Sequence, residues 1–360
     1  MKLLYLINFA GKAGTEKYVE NLVRIFSEAG HECHFAYNVP GELSEKMAAM
    51  GIPSLRLDMD RSGALKSAVK LADYCARHGI EVIHAQYPRE NIIALLARRR
   101  YKGVRVVYTN HLTIRSGARW RILNRIFTPG NHRIIAVCRE GRDIMIKNGV
   151  CPERIEVIYN GVEPARDRSR DHAARFTLGV QDGDFMLSIF ARYAPEKGLD
   201  FLLDSLARLS ELTDRPWRCV ICGDGELYEH IAQRRHELGL GPRVIQAGFR
   251  SDTAEILRAS DLYLNTSSCN EAMSFAILEA MNAGLPLVVT DVGGNRDLAE
   301  TGIVCGRVVD YGDADGFARS ILEIMENDSL RAELSAAAGR KIDEEFDLGK
   351  LAWDVFRAYQ

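Results

Sequence analysis

The chain has 360 residues, of which 47% are hydrophobic and 27% charged, and its formal net charge at pH 7 is -2. This composition excludes a disordered or fibrous protein, and the small net charge indicates no class of binding partner. The length exceeds what one hydrophobic core usually serves, so we expect two domains of ordinary size.

Eight cysteines are scattered along the sequence without the dense spacing of a disulfide-stabilised secreted domain. We therefore expect a reducing, cytoplasmic location. The apolar run from Leu3 to Phe9 is too short for a signal peptide, and no other run is long enough to span a bilayer. We expect this first run to form a buried strand.

Short apolar runs alternate with longer amphipathic segments. In the first half, strands are predicted at 3–9, 33–37, 82–87, 104–110, 134–138 and 157–158. The pattern restarts in the second half, with strands predicted at 185–190, 218–221, 244–247, 262–265 and 287–290. Apolar strands that alternate with helices are typical of a parallel sheet covered on both faces. The sequence therefore predicts an α/β protein with two doubly wound domains.

A polar, proline-bearing stretch from Glu163 to Asp171 separates the two sets of strands. We expect an N-terminal domain over 1–163, a C-terminal domain over 164–342 and a terminal segment over 343–360. That last segment is expected to bury an apolar face, because apolar residues recur in it at near-helical spacing. These residues are Phe346, Leu351, Trp353, Phe356 and Tyr359.

Ligands of doubly wound sheets bind outside the carboxyl ends of the strands, so the loops there are the candidate sites. The loop after 3–9 contains Gly14, just before a predicted helix from Lys17 to Ala29. A glycine here would let the backbone approach a phosphate at the helix N-terminus. A tight turn without any ligand explains the same residues equally well.

The loop after strand 185–190 places Arg192 and Lys197 on either side of Pro195, before a predicted helix. Two cations around a stiffened turn could neutralise a diphosphate that gains charge as it departs. A solvated pair of cations is the alternative.

The loop and helix from Cys269 to Pro286 are the most informative segment. Glu271 precedes a helix predicted to begin near Ser274, and Glu279 lies within it. Eight helical residues rise roughly 12 Å, so the two carboxylates could hold hydroxyls at both ends of a nucleotide sugar. Backbone N–H groups between them would face the diphosphate. The residues that supply these groups are Met273, Ser274, Phe275 and Ala276. A solvated Glu279 without a ligand is the alternative.

Residues 91–139 contain no Asp or Glu but include Lys102 and ten arginines. An apolar face lies among these cations, formed by Trp120, Ile122, Leu123, Ile126 and Phe127. This pattern is typical of a helix at an anionic membrane surface, and it would attract a lipid-linked or phosphate-bearing molecule. A solvated basic helix is the alternative. Nucleic acid binding is not expected, because no aromatic platform accompanies the charge.

Several separated motifs occur together in one enzyme family. They are the E-x7-E of Glu271 and Glu279, the R-x-x-P-E-K-G of 192–198 and the V-I-x-N-G-V of 157–162. Partial matches occur at 13–16, 109–111 and 292–297, where Ala13 and Asp297 replace the usual Gly and Glu. On these residues the chain resembles the retaining GT-B glycosyltransferases of family four (group 1 glycosyl transferases) along nearly its whole length.

The resemblance implies a GT-B fold, in which two Rossmann-like domains face a cleft and a C-terminal helix returns towards the N-terminal domain. It implies catalytic roles for His111, Arg192, Lys197 and Glu271. It also implies contacts to the donor. Arg192 and Lys197 would bind the diphosphate, together with the helix N-terminus from Met273 to Ala276 and the loop of Gly14, which closes on the phosphates. Glu279 would bind the ribose, Glu271 the transferred sugar, and Arg250 would lie near the base.

The implied activity is the retaining transfer of a hexose or N-acetylhexosamine from a nucleotide diphosphate sugar, with UDP favoured over GDP. The implied acceptor is a glycan, lipid-linked or phosphate-bearing molecule in cell-surface polysaccharide or glycolipid assembly. No metal and no cofactor besides the nucleotide sugar is implied. Three alternatives stay open: a nucleotide-sugar epimerase, a phosphorylase, and a catalytically silent partner subunit.

Overall fold

The computed structural model describes residues 1–60 and 63–360. It divides into two compact units: unit 1 comprises residues 1–160 and 349–360, and unit 2 comprises residues 161–348. Each unit contains a parallel sheet with helices between successive strands. The prediction of two doubly wound α/β domains is therefore confirmed.

Within the described residues, unit 1 has a seven-stranded sheet. Its strands are β1 (Lys2–Phe9), β2 (Glu32–Val39), β3 (Ser54–Arg56), β4 (Val82–Ala85), β5 (Arg105–Asn110), β6 (Arg133–Ala136) and β7 (Ile155–Val157). Its helices are α1 (Gly14–Glu28), α2 (Glu42–Ala49), α3 (Ala64–His78), α4 (Pro88–Arg100), α5 (Ala118–Phe127) and α6 (Arg139–Lys147), with short 3-10 turns at Thr128–Gly130 and Pro152–Arg154. The strand order is β3-β2-β1-β4-β5-β6-β7.

Unit 2 has a six-stranded sheet. Its strands are β8 (Phe185–Phe190), β9 (Trp217–Cys222), β10 (Val244–Gly248), β11 (Leu262–Asn265), β12 (Leu287–Thr290) and β13 (Gly306–Val309). Its helices are α7 (Ala173–Thr177), α8 (Leu199–Leu212), α9 (Tyr228–Glu237), α10 (Thr253–Ala259), α11 (Phe275–Asn282), α12 (Asn295–Ala299), α13 (Ala314–Glu326) and α14 (Asp328–Glu345), with a 3-10 turn at Pro195–Lys197. The strand order is β10-β9-β8-β11-β12-β13. The last helix of the chain is α15 (Leu348–Arg357).

Both sheets reverse their strand order beside their first strand, between β1 and β4 in unit 1 and between β8 and β11 in unit 2. Helices that follow neighbouring strands at such a point lie on opposite faces, which leaves a crevice at the carboxyl ends of the strands. The loops after β8 and β11 carry Arg192, Lys197 and Glu271. The topology of unit 2 therefore brings its two charged motifs to one crevice.

Burial explains why the central strands form where the sequence predicts them. Residues 3–7 in β1 and 185–189 in β8 are buried throughout, as expected for strands covered by helices on both faces. Two strands were not predicted, β3 and β13, which read Ser-Leu-Arg and Gly-Arg-Val-Val. Both lie at the edge of their sheet, where a strand needs only one partner and less apolar surface.

The boundaries differ from the predicted 163/164 and 342/343. Val162 donates to the carbonyl of Phe346 and accepts from the amide of Leu348, at 3.0 Å each. A Cβ on Gly161 would crowd the backbone of Phe346 and Leu348. These contacts attach residues 161–163 to unit 2. The chain thus changes unit at Asn160–Gly161 and again at Leu348–Gly349, which makes unit 2 an insertion within unit 1.

The terminal segment also differs from one helix over 343–360. Residues 343–345 end α14, Asp347 forms a β-bridge with Val162, and only then does α15 begin. The aromatic residues of α15 and the residues after it pack on α1, with the Phe26 ring centroid 5.5 Å from Phe356 and 6.0 Å from Tyr359. The end of the chain therefore completes the core of unit 1. Within the described residues, no helix has the length and apolarity needed to cross a bilayer.

Candidate active site

A hydrogen-bonded pair of opposite charges lies in the crevice of unit 2. The Lys197 ammonium Nζ lies 2.6 Å from Glu271 Oε2, and the hydroxyl of Ser267 donates to the same carboxylate oxygen at 2.8 Å. Glu271 is 8% exposed and Lys197 is half-buried, so the carboxylate is the more strongly shielded member of the pair. Shielding strengthens the interaction and fixes both side chains, as a preorganised binding site requires. Two predicted site residues, Lys197 and Glu271, are thus brought together.

Two glycines allow the loops of this crevice to approach one another. Gly198 and Gly293 both have a φ of +61°, in the left-handed region that favours glycine. A Cβ on Gly198 would overlap the carbonyl oxygen of Thr266, and one on Gly293 would overlap the carbonyl oxygen of Glu271. Gly198 therefore permits the close approach of the loop after β8 to Thr266, and Gly293 permits that of the loop after β12 to Glu271.

Arg192 lies on the same loop as Lys197 but is more exposed. Its guanidinium pairs with Glu196, four residues later. Glu196 accepts from its own backbone amide and from Arg192, and these bonds lower the pKa of its carboxyl. The Glu196 backbone carbonyl in turn accepts from the amide of Ser268 at 2.8 Å. The loops after β8 and β11 are thus joined through their backbones as well as through Lys197 and Glu271.

The predicted donor-binding residues after Glu271 lie around the N-terminus of α11. Met273 and Ser274 are buried, and Phe275 and Ala276 are half-buried in its first turn. Ser274 is the N-cap, and its hydroxyl accepts from the amide of Ile277 at 3.5 Å. Its side chain therefore caps the N-terminus of the helix. The N-terminus of α11 lies next to Glu271 along the chain, as the sequence predicts.

Glu279 is half-buried on α11. Burial raises the pKa of Tyr263 on β11, and the charges of Glu279 and Glu271 raise it further. The charges of both carboxylates of the E-x7-E motif thus act on one buried tyrosine.

Arg250 lies away from this group. It follows β10, the edge strand, two strands from β8 in the sheet. Its guanidinium binds both carboxylate oxygens of Asp252, at 2.8 and 2.5 Å. This bidentate pair raises the pKa of Arg250. The structure does not bring the Arg250 side chain to Lys197 and Glu271.

In unit 1, His111 directly follows β5. Its Nε2 lies 3.0 Å from Oε1 of Gln86, whose Nε2 donates to the carbonyl of His84. This second bond fixes the amide of Gln86, so the proton of His111 is on Nε2 and its Nδ1 is an acceptor. The ring packs edge-on against Tyr18 at 5.0 Å between centroids. Burial lowers the pKa of His111 to about 3, so the imidazole is neutral.

A buried chain of hydrogen bonds supports the strand that carries His111. His84 lies 2.6 Å from the hydroxyl of Thr109 and 2.7 Å from that of Tyr359, which in turn lies 3.3 Å from the hydroxyl of Tyr5. The Thr109 hydroxyl also lies 3.2 Å from that of Tyr18. The last turn of the chain is thereby linked through His84 and Thr109 to Tyr18, whose ring packs against His111.

A cavity of about 760 Å³ opens at the carboxyl ends of β1, β4 and β5 in unit 1. Its buried lining includes the polar residues Glu90, Asn110 and Asn148 beside apolar ones, and its exposed lining includes Phe9, Ile114 and Trp120. The predicted glycine, Gly14, begins α1 beside it, directly after the lining residue Ala13. Ser267, Gln86 and Glu90 were not predicted from the sequence. Ser267 had a signal, because it belongs to a run of hydroxyl residues after β11.

The predicted apolar face of the basic region is divided. Helix α5 has no buried residue, and Trp120, Ile122 and Ile126 are 36, 57 and 60% exposed. Leu123 and Phe127 are half-buried, and Arg99 lies over the Phe127 ring. The exposed apolar residues therefore lie among arginines on the surface of unit 1.

Metal ligands are not clustered in the part of the chain that the structure describes, where no group of three or more His, Cys, Asp or Glu side chains could hold an ion. All eight cysteines are free thiols, including Cys219 and Cys222 on β9.

Comparisons with known proteins agree with this architecture. The family profile described as Glycosyltransferase Family 4 matches residues 13–166, and the one described as Glycosyl transferases group 1 matches residues 171–341. The UDP-Gal:alpha-D-GlcNAc-diphosphoundecaprenol alpha-1,3-galactosyltransferase of Escherichia coli is 26% identical over 86% of this chain and 82% of its own length. The N-acetyl-alpha-D-glucosaminyl L-malate synthase of Bacillus anthracis is 23% identical over 95% of this chain and 91% of its own.

Solved structures show the same fold. The crystal structure of Anabaena HepE in complex with UDP superposes with a TM-score of 0.87 at 23% identity, covering 99% of each chain. The lipopolysaccharide outer core galactosyltransferase WaaB superposes with a TM-score of 0.78 at 18% identity, covering 100% of this chain and 99% of WaaB. The fold is therefore GT-B. The chain belongs to the family 4, group 1 glycosyltransferases.

Proposed function

We propose that the protein is a retaining glycosyltransferase that transfers a hexose or N-acetylhexosamine from a nucleoside diphosphate sugar, with UDP favoured over GDP. One observation carries the proposal: Lys197 and Glu271, from two separate motifs, are hydrogen-bonded at the switch point of the unit 2 sheet. The UDP bound to HepE and the UDP-Gal in the name of the Escherichia coli relative support a uridine nucleotide.

The proposed acceptor is a glycan, lipid-linked or phosphate-bearing molecule in cell-surface polysaccharide or glycolipid assembly. The undecaprenol-linked acceptor in the name of the Escherichia coli relative and the exposed basic and apolar surface of α5 support a lipid-linked one. We further propose a cytoplasmic location, with α5 and its arginines at the inner membrane surface.

Lys197 and Arg192 are the proposed ligands of the donor diphosphate. An ammonium group has three N–H donors, so Lys197 can keep its bond to Glu271 and still donate to a phosphate. The N-terminus of α11 would add backbone N–H groups and the positive end of the helix dipole, and Gly14 would let the loop before α1 close on the phosphates. Negative charge grows on the diphosphate as the bond to the sugar breaks, so these groups would favour the transition state.

Glu271 is the proposed ligand of the transferred sugar and Glu279 that of the ribose, while Arg250 would approach the base through its backbone. Ser267 would hold Glu271 in position through the hydroxyl hydrogen bond. His111 is proposed to hydrogen-bond the sugar or to steer the acceptor. Because its imidazole is neutral, it would act through its Nδ1 lone pair and not as a cation.

Retention would follow from attack on the same face from which the nucleotide leaves, without a carboxylate nucleophile. The C–O bond to the acceptor forms as the bond to the diphosphate breaks, and the diphosphate takes the proton of the acceptor. Arg192, Lys197 and the α11 N-terminus would supply the positive charge that a metal ion supplies elsewhere. We therefore expect activity to persist in EDTA.

The first test is a thermal-shift series with UDP, GDP, ADP and their common sugar conjugates. A ligand that binds only the folded protein raises its melting temperature. We expect UDP or a UDP-sugar to stabilise the wild type, and Lys197→Ala and Glu279→Ala to abolish the shift. Glu229→Ala, an exposed glutamate in the first turn of α9, is the matched control and should behave as the wild type. No shift with any nucleotide would contradict the proposal.

Incubation with the stabilising nucleotide sugar alone separates the alternatives. An epimerase would convert the donor without an acceptor. A phosphorylase would leave the nucleotide sugar unchanged and would instead release a sugar 1-phosphate from a glycan in the presence of inorganic phosphate. A silent subunit would do neither. With an acceptor extract, the proton NMR coupling of the new anomeric centre reports the stereochemistry, and an inverted product would contradict the retaining mechanism.

A further inference from the structure

The cavity of unit 1 holds a buried carboxyl group that is not part of the proposed donor site. Glu90 lies in the first turn of α4, lines the cavity and is 2% exposed. Among the charged residues known to line this cavity, Arg89 and Glu16 are half-buried and Asp60 and Arg115 exposed, so Glu90 carries the buried charge. Acidic side chains are rarely this buried without a reason.

The carboxyl has hydrogen-bonding capacity to spare. It accepts from its own backbone amide and from that of Asn8, at the end of β1. A carboxylate has about four lone-pair directions. Two remain for groups that enter the cavity, and a pair of adjacent sugar hydroxyls would fill them.

The cavity combines buried polar groups with buried apolar ones, among them Met145 and Val150, and exposed apolar side chains lie at its opening. Glu90, Asn110 and Asn148 are buried in it, while Phe9 and Ile114 are 59 and 46% exposed. The arrangement suits a molecule that enters with a hydroxyl-rich end and keeps an apolar end at the opening.

The exposed side of the cavity is also held in place. The Asn110 side chain donates to the carbonyl of Leu112 at 2.7 Å. The Asn148 side chain donates to the carbonyl of Ile114 at 2.9 Å and accepts from the amide of Ser116 at 2.8 Å. The segment that carries Ile114 is therefore anchored at both ends, and the opening is preformed.

We propose that this cavity takes an acceptor with a neutral sugar end and an apolar aglycone, and that Glu90 binds hydroxyls of the sugar. The inference rests on the proposed transferase function. A phosphate placed at the buried end would meet the carboxylate of Glu90, whereas sugar hydroxyls donate to it. Phe9, Ile114 and Trp120 would cover the apolar part of the acceptor.

The ionisation of Glu90 supplies a signature that helix capping alone would not. Burial raises the pKa of Glu90 to about 7, against the opposing effects of its backbone bonds and of Arg89. The other titratable groups that face it are Tyr87 and Tyr108, and burial raises the pKa of both above the ordinary tyrosine value. Burial also lowers the pKa of His84 and His111 to about 3. Between pH 6 and 8, Glu90 is thus the group of this set that changes charge.

The test measures binding of octyl glucoside, octyl galactoside and octyl N-acetylglucosaminide to the full chain by calorimetry, below their micellar concentrations. Octyl phosphate and the free sugars are the comparison ligands. We expect at least one octyl glycoside to bind more tightly than octyl phosphate, and more tightly at pH 8 than at pH 6. Glu90→Gln keeps the shape but loses the charge, so it should weaken binding at pH 8 about tenfold and remove the pH dependence.

Glu140→Gln is the matched control, because Glu140 is exposed in the first turn of α6 and does not line the cavity. Ile114→Ser should weaken octyl glycosides and leave the free sugars unchanged. Three results would overturn the inference: no binding of any of the three glycosides, tighter binding of octyl phosphate, or equal behaviour of Glu90→Gln and Glu140→Gln. UDP-dependent thermal shifts in the same samples test the donor site separately, so failure of one proposal is distinguishable from failure of the other.

Discussion

Glu90 makes unit 1 less stable at neutral pH than it would be with a neutral side chain. Its carboxyl has a pKa of about 7 in the folded protein and an ordinary value of 4.5 when unfolded. Between these two values the folded state binds more protons than the unfolded state, so stability falls as pH rises through this window. Burial of a charge at this position therefore opposes folding, which is typical of residues retained for binding.

Replacing Glu90 by glutamine should remove this pH dependence. From pH 5 to pH 8, the free energy of opening of unit 1 should fall by about 2 to 3 kcal/mol more in the wild type than in Glu90→Gln, as expected for a pKa shift of this size. Hydrogen exchange of peptides from β4 and β5 measures this opening free energy. Glu140→Gln should follow the wild type at both pH values. Equal pH dependence in the wild type and Glu90→Gln would mean that the carboxyl is not titrating near 7.

The residues that sequence motifs predict and those they miss differ in a physical way. Lys197 and Glu271 were predicted because each belongs to a spaced motif, and the structure joins them. Ser267 and Gln86 were missed, because their role depends on which side chain of a loop points at a functional group. Glu90 was missed because a glutamate in the first turn of a helix is common, and only the fold shows that it is buried.

At the scale of elements, two glycines in unit 2 fix how closely its loops can approach. A Cβ on Gly293 would overlap the carbonyl oxygen of Glu271, and one on Gly198 would overlap that of Thr266. The loops that carry the charged residues can therefore reach their observed positions only with glycine at both places. Replacement by alanine should therefore disturb unit 2 more at these two glycines than at other glycines with the same backbone conformation.

Gly293→Ala should abolish the UDP-dependent thermal shift, because the loop after β12 must move and displace Glu271. Gly239 is the matched control, since its φ of +66° is similar but nothing lies within 4 Å of an added Cβ. Gly239→Ala should cost about 1 kcal/mol of stability from the backbone alone and keep the UDP shift. Retention of the shift in Gly293→Ala at normal stability would contradict the role of this contact.

The sheets were predictable where strands are buried on both faces and less so at the edges. Eleven strands were predicted from apolar runs, and each corresponds to one in the structure. The missing strands, β3 and β13, are short and include arginine, because an edge strand is exposed to solvent along one side. Apolar runs report burial, so they cannot report a strand that is only partly buried.

At the scale of the whole molecule, the two units depend differently on the ends of the chain. Unit 2 is one continuous segment, whereas unit 1 needs residues 349–360 to cover Phe26 and to complete the hydrogen bonds of His84. Loss of the tail would expose the Phe26 ring and leave a buried imidazole without one of its partners. The tail is therefore part of the folding unit to which the N-terminus belongs.

A fragment of residues 161–348 should fold alone, and one of residues 1–160 should not. We expect the first to melt cooperatively and the second to be destabilised by several kcal/mol, in the range of losing large buried aromatic side chains. Circular dichroism melts of both fragments measure this. Addition of a peptide of residues 349–360 should restore structure to the 1–160 fragment. Cooperative melting of 1–160 without the peptide, at the temperature of the full chain, would contradict the prediction.

The nesting of unit 2 inside unit 1 has a consequence for how such genes could diversify. A single uninterrupted stretch of coding sequence encodes the whole proposed donor half, and its two borders fall at Asn160–Gly161 and Leu348–Gly349, where a β-bridge holds the neighbouring backbone together. One recombination event with two crossovers could therefore replace the sugar that is supplied and leave the molecule that receives it unchanged. Unit 1, the proposed acceptor half, consists of two separate segments, so it could not be exchanged in one piece.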